Sequence, residues 1–258
     1  MGGSLSGHHR IEYPNGDVYD GDWLNGVAHG RGCYRYSSGL TYTGHWVNSA
    51  WNGHGRLVWP NGDVYDGEFV ENRMEGTGKF TVSHSLSSST SSIQGEVYVG
   101  RMKDNLPCGD GKSVYTNGDR YEGFYLQGRP HGTGRMNYVN GEEYNGQWRE
   151  GYREGQGVYI DRSGVRYEGE FRANRRHGEG VMRDREGRML YRGIWHDNEC
   201  IHRYEDEKKA ERGRTTADER GSGGGQGGQG RQGREGQSIK SSQPLHTHTL
   251  PHHQRPVR

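Results

Sequence analysis

The chain is short of apolar residues. Only 28% of its 258 residues are hydrophobic and its mean hydropathy is −1.17, a balance that taken alone reads as disorder. It contains no transmembrane run, and no secretory signal is expected. Cysteine is scarce as well. Cys33, Cys108 and Cys200 are far apart and form no CxxC pair, so neither a disulfide framework nor a thiolate zinc site is implied, and a reducing compartment fits. Charge of one sign is lacking: the net charge is +1, with ten Lys/Arg against seven Asp/Glu after residue 204 and 24 against 26 before it. A near-neutral array speaks against nucleic acid as a partner. No Gly-x-Ser-x-Gly, His-Glu-x-x-His or paired-carboxylate arrangement occurs, so no catalytic residue, no cofactor and no metal site is expected, and the chain is read as a non-enzyme. The last absence is positional: no Tyr, Trp or Phe follows Tyr204.

What is present before that point is 17 Tyr, 6 Trp, 4 Phe and much of the glycine. Tyr19, Tyr42, Tyr65, Tyr98, Tyr121, Tyr144 and Tyr167 each open a unit, and Tyr191 opens a truncated eighth. Successive spacings are 23, 23, 33, 23, 23, 23 and 24 residues, a fixed period that points to a repeat architecture. In Tyr121 to Glu143, alternation at Tyr121, Gly123 and Tyr125, and again at Gly132, Gly134, Met136 and Tyr138, predicts two β-strands. A polar loop at Gln127 to Pro130 separates them, and Asn140-Gly141 predicts a tight turn with both central residues at positive φ. The single length change falls at Thr81 to Gln94, a Ser-rich insertion whose serines are a candidate phosphorylated docking loop. Subtracting a period from Gly30, Tyr34 and Tyr36 lands on Gly7, Ile11 and Tyr13, so the array is expected to open on a second strand without its first. Tyr191-Gly193-Trp195 is expected to close it on a first strand without its second. About sixteen strands follow, roughly 75 Å of sheet at the usual inter-strand spacing. A lone hairpin is marginal in water, so each unit must bury its aromatic face on its neighbours. Glycines on that face leave room for rings to lie over the backbone.

The pattern Tyr-x-Gly-x-Trp/Phe, Gly-x-x-His-Gly-x-Gly and Asn-Gly-Asp resembles the MORN (membrane occupation and recognition nexus) repeat. Tyr19 to Trp23 with Gly26 and His29 to Gly32 is a close match, as are Tyr121 to Gly134 and Tyr167 to Gly180. Met102 and Tyr125 depart from the Trp/Phe position, and Asn52, Glu75, Cys108 and Glu154 from that of His29. The resemblance implies an all-β fold: an elongated, single-layer, twisted antiparallel sheet of stacked hairpins. It also implies a scaffold at cytoskeletal or membrane sites, or a module attached to an enzyme. The expected organisation is a leader at 1–6, the repeat array at 7–204, a charged candidate helix at 205–220 and a low-complexity, disordered tail at 221–258. That leaves no residues for an enzyme domain.

Two functional readings follow. In the first, the aromatic face around Trp23, Trp46, Trp59, Trp148 and Trp195 binds cytoskeletal or ciliary proteins, with terminal strands open to homodimer formation. In the second, Arg172, Arg175, Arg176, Arg183, Arg188 and Arg192 contact anionic phospholipid, helped by a lipid on Gly2 in the myristoylation-like start Met1 to Ser6. Other motifs read as structural. Gly109 to Ser113 looks like the end of a phosphate loop, but Leu106 stands where its first glycine belongs. His29, His131 and His177 share one repeat position and read as histidines bonding local backbone, and the tail histidines His246, His248, His252 and His253 as a solvated end.

Overall fold

A computed structural model describes residues 4–83 and 96–204. These fall in one compact unit, Met1–Glu205. Gly2, most of the Ser-rich insertion, the candidate helix at 205–220 and the tail at 221–258 lie outside the described residues.

The described chain is all β, with no helix. The strands are β1 (Gly7–Glu12), β2 (Val18–Leu24), β3 (Val27–Arg35), β4 (Thr41–Val47), β5 (Ala50–Val58), β6 (Val64–Val70), β7 (Arg73–Thr81), β8 (Val97–Lys103) and β9 (Leu106–Val114). They continue as β10 (Arg120–Leu126), β11 (Arg129–Asn137), β12 (Glu143–Arg149), β13 (Tyr152–Ile160), β14 (Arg166–Arg172), β15 (Arg175–Arg183), β16 (Met189–His196) and β17 (Glu199–Arg203). Each pairs antiparallel with its neighbours in sequence, from Gly7 opposite Trp23 at one end to His196 opposite Glu199 at the other. The result is one open 17-stranded sheet. The count corrects the sequence reading at one end, since the eighth unit is not truncated: β17 supplies its second strand. Without Tyr or Gly on the usual positions, Glu199 to Arg203 escaped the pattern, and pairing with β16 fixes it instead.

The repeat is explained by a small constellation. Gly21 faces Gly32 across β2 and β3, and a Cβ on Gly21 would lie 2.5 Å from the Gly32 Cα and 2.7 Å from the Tyr19 hydroxyl. With no side chain in the way, the Tyr19 ring lies flat along the sheet, and its hydroxyl donates to the Asp22 carbonyl at 3.0 Å. The same bond recurs from Tyr42 to His45, Tyr65 to Glu68, Tyr98 to Arg101, Tyr121 to Phe124, Tyr144 to Gln147 and Tyr167 to Glu170. All seven tyrosines are at most 1% exposed. A buried phenol that bonds a backbone carbonyl avoids the cost of an unsatisfied polar group.

The register slips after each such glycine, between Gly21 and Trp23 for example, so His29 to Arg31 bulge opposite Asp22. The Asp22 carboxylate closes the bulge by accepting from the Arg31 N–H at 3.0 Å, and Glu68 and Gln147 do the same for Thr77 and Gln156.

The two turns of the unit exchange the roles assigned from sequence. Asn25-Gly26, Gln127-Gly128 and Ala173-Asn174 hold positive φ at both residues, as a two-residue hairpin turn requires. At Asn140-Gly141 only the glycine does, at 89°. The Gly141 N–H donates to the Tyr138 carbonyl, and the Tyr138 N–H to Glu142, which is a three-residue loop ending in a left-handed glycine. Each two-residue turn also docks on the preceding unit. Asn72 donates its N–H to the Trp51 carbonyl at 3.1 Å, and its side-chain oxygen accepts the Trp51 N–H at 2.7 Å. Two acids of the longer turns are buried. Asp17 and Asp63 are 7% and 3% exposed. Asp17 caps the next turn through the Ser37 N–H at 2.7 Å and accepts the Tyr34 hydroxyl at 2.8 Å.

Candidate partner-binding surface

The tyrosine face is built in rows one period apart. The tyrosines form the floor. The next row, Trp46, Phe69, Met102, Tyr125, Trp148, Phe171 and Trp195, is also buried. Five of these rings stand edge-on to two tyrosines each, for example Trp46 to Tyr19 and Tyr42 and Trp148 to Tyr121 and Tyr144, both pairs at 5.2 Å, while Trp195 stands edge-on to Tyr167 and stacks on Tyr191. Such edge-to-face pairs are favoured by the ring quadrupole. Trp46 and Trp148 also donate to the carbonyls of Gly32 and Gly134 in the preceding unit, at 3.1 and 2.9 Å. Burial pushes the Tyr19 phenol up to about 12 and shifts Tyr42, Tyr65, Tyr98, Tyr121, Tyr144 and Tyr167 upward in the same way.

The five candidate tryptophans therefore separate. Trp46, Trp148 and Trp195 are 3 to 5% exposed and offer a partner almost no surface. Trp23 and Trp59 are half-buried and packed against the core. Trp59 belongs to a third row at the exits of the second strands, Tyr13, Tyr36, Trp59, Tyr115 and Tyr138, every one half-buried. Sequence periodicity contained that row, but nothing in a single unit tells an exit ring from a floor ring. Beside it, Tyr115, Pro130, Met136 and the edge of Trp148, with Asn117 and Asp119, line a groove of about 380 Å³. Further along the same face, guanidinium groups cover the rings: Arg153 lies 5.5 Å from the centroid of Tyr144 and Arg176 4.6 Å from that of Trp195.

The opposite face is polar. In the first units His8, Asp20, Arg31, Cys33, His45, His54, Arg56 and Asp66 line a groove of about 700 Å³. His8 bonds Asp22 at 3.2 Å and Asp20 at 2.9 Å, which raises its pKa. Groups of opposite sign lie side by side there, so the groove presents no field of one sign.

The six candidate arginines do not form one patch. Arg175 meets Asp197 at 3.1 Å, Arg183 meets Glu168 at 3.3 Å, Arg188 meets Asp184 at 2.6 Å and Arg192 meets Glu179 at 2.9 Å. Arg176 donates to the Asn198 carbonyl and belongs to the aromatic face. Arg172, exposed at the end of β14, sits across from Arg175. The phosphate-loop fragment Gly109 to Ser113 is part of β9. Of the three repeat histidines, His29 and His177 have a buried Nδ1 without a hydrogen-bond partner, which corrects their reading as backbone-bonding groups.

A family model described as the MORN repeat matches residues 19–41, 42–64, 65–81, 98–120, 121–143, 144–166 and 167–187. No curated protein matches the chain. Among solved structures, it is similar to the TCP domain of Drosophila melanogaster SAS-4 (dCPAP), solved with a proline-rich motif of Ana2. The identity is 12% and the TM-score 0.37, over 70% of this chain and 86% of that one. It is also similar to the TCP10 domain of Danio rerio CPAP, at 17% identity and a TM-score of 0.34, over 72% and 88%. Scores this low say nothing of function. The seven family matches begin on the seven floor tyrosines and together take in more than half the sequence, so the chain belongs to the MORN repeat family.

Proposed function

We propose that the chain is a non-enzymatic scaffold that gathers protein partners on its aromatic face, in the cytoplasm at a cytoskeletal or ciliary structure. The observation that carries this reading is the exit row. Tyr13, Tyr36, Trp59, Tyr115 and Tyr138 recur along the sheet and stay half-buried, while the two rows beneath them are closed. Half-exposed Tyr and Trp give large contact area at small cost in side-chain entropy. The groove beside Tyr115 adds Asn117 and Asp119 for polar contacts. Membership in a family of protein- and lipid-binding repeats supports the same reading. Binding of anionic lipid has less support, because five of the six candidate arginines already face a carboxylate or a backbone carbonyl.

The test is detergent extraction of cells carrying the C-terminally tagged chain and its Gly2→Ala variant. The scaffold reading expects both to stay with the insoluble skeleton. Release by mild detergent, with loss of membrane signal in Gly2→Ala, turns the reading to a lipid tether.

A further inference from the structure

At the repeat position of His29, the side chain ties one unit to the next in three of the seven units. Asn52, Glu75 and Glu154 each accept the first N–H of the following two-residue turn, from Glu71 at 3.5 Å, Asp104 at 3.0 Å and Ala173 at 3.0 Å. His177 holds this position in β15, and the turn that follows begins at Asp197. The imidazole is not used as its counterparts are, for Nδ1 of His177 is buried without a partner. Instead His196, the last residue of β16, brings a second imidazole to it, with ring centroids 5.3 Å apart. His196 Nδ1 lies 4.0 Å from Asp197 Oδ2. One ligand atom from each of His177, His196 and Asp197 falls within 4.8 Å of the others, the one such trio among the described residues.

We propose that His177, His196 and Asp197 form a binding site for a zinc-like divalent ion that staples the last hairpin, β16–β17, to β15. Two imidazoles and one carboxylate suit zinc or a neighbouring late transition metal, whereas magnesium and calcium take mostly oxygen. Bonds of about 2.1 Å at tetrahedral angles separate donors by roughly 3.4 Å. Closing from the present spacing takes side-chain rotations, which His196 and Asp197 have room for at 63% and 52% side-chain exposure. Arg175 holds Asp197 Oδ2 at 3.1 Å and competes with the ion. An exposed ion pair of that kind is weak and yields readily. A water fills the fourth position.

The hairpin that gains is the least supported one. Its β17 has five residues, four of them exposed, and pairs on one side only. Sequence spacing hid the site, because His177 and His196 come from different units and follow no metal-ligand spacing.

The experiment titrates zinc alone into the full chain at neutral pH, by calorimetry and by thermal melting. It compares wild type, His196→Gln, Asp197→Asn and a chain whose tail histidines His246, His248, His252 and His253 are all glutamine. Asparagine keeps the left-handed turn at position 197. We expect one tight site and a zinc-dependent rise in the midpoint in wild type and in the tail variant. His196→Gln and Asp197→Asn should each weaken that site at least ~10-fold, the lower end for disturbing a zinc site, and remove the rise. Absence of a tight site, its loss in the tail variant, or its survival in either His196→Gln or Asp197→Asn overturns the proposal.

Discussion

The ring of Tyr42 lies over Gly55 so closely that a Cβ on that glycine would sit 2.6 Å from ring Cε2 and 2.5 Å from the hydroxyl. Gly44, opposite Gly55, is held by the same ring. Gly55→Ala must therefore move either the ring or a strand. Overpacking of this kind costs about 1–3 kcal/mol and sometimes more. The variant should melt well below wild type, whereas Gly141→Gln, at a turn with nothing within 4 Å of an added Cβ, should lose only the smaller cost of its positive φ. Equal midpoints for the two variants would refute the role given to the glycine pairs.

A second relationship joins two departures from the repeat. Where most units carry Trp or Phe, Tyr125 brings a hydroxyl into the core, and Ser113 meets it at 2.6 Å. Both are 2% exposed. In the other full units the Ser113 position holds Tyr34, Leu57, Phe80, Met136, Tyr159 or Met182. Ser113→Ala removes one hydroxyl partner from Tyr125 and leaves the other, Tyr115, so the cost is that of one hydrogen bond, about 0.5–1.5 kcal/mol. Tyr125→Phe in the same chain should recover most of the loss, and the cycle of four melting curves measures the coupling. Additive effects would show that the pair does not act together.

The buried phenols set the alkaline limit of the fold. Their folded pKa values are raised above the unfolded value near 10, to about 12 for Tyr19, because burial penalises the phenolate. For groups raised on folding, the stabilising contribution is complete below the unfolded pKa and lost as pH rises through the folded one. Stability should thus hold from neutrality to about pH 10 and fall steeply above it. Tyrosinate absorbance from the seven floor tyrosines, and from Tyr34, Tyr125 and Tyr159, whose phenols are also pushed well up, should appear only with unfolding, as followed by circular dichroism. A single smooth titration of all 17 tyrosines with the sheet intact would contradict this.

The sequence made the fold legible because the unit is short and its signal is repeated: Tyr, Gly two later and a ring two after that. Repetition distinguishes a required glycine from a tolerated one. Turn geometry was less legible, since Asn140-Gly141 looks like the ideal two-residue turn while Ala173-Asn174 performs that role without glycine. There, pairing on both sides imposes positive φ against local preference. The surface was least legible. Trp46 and Trp59 look alike in the sequence, yet one donates to Gly32 from the core and the other stands half-open at a strand exit. Arg176 looked like a free cation and covers Trp195 instead.

The central claim is that the exit row, and not the rest of the aromatic face, meets partners. The most direct measurement compares skeleton retention of the tagged full chain with that of Tyr36→Ser/Trp59→Ser/Tyr138→Ser, and with a polar-face control, His54→Ser/Arg56→Ser. Thermal melting of each purified chain establishes that the array remains folded. The account predicts that the exit-row variant stays folded and is released, while the control is retained as wild type is. Retention of the folded exit-row variant, or release of the polar-face control, would contradict it.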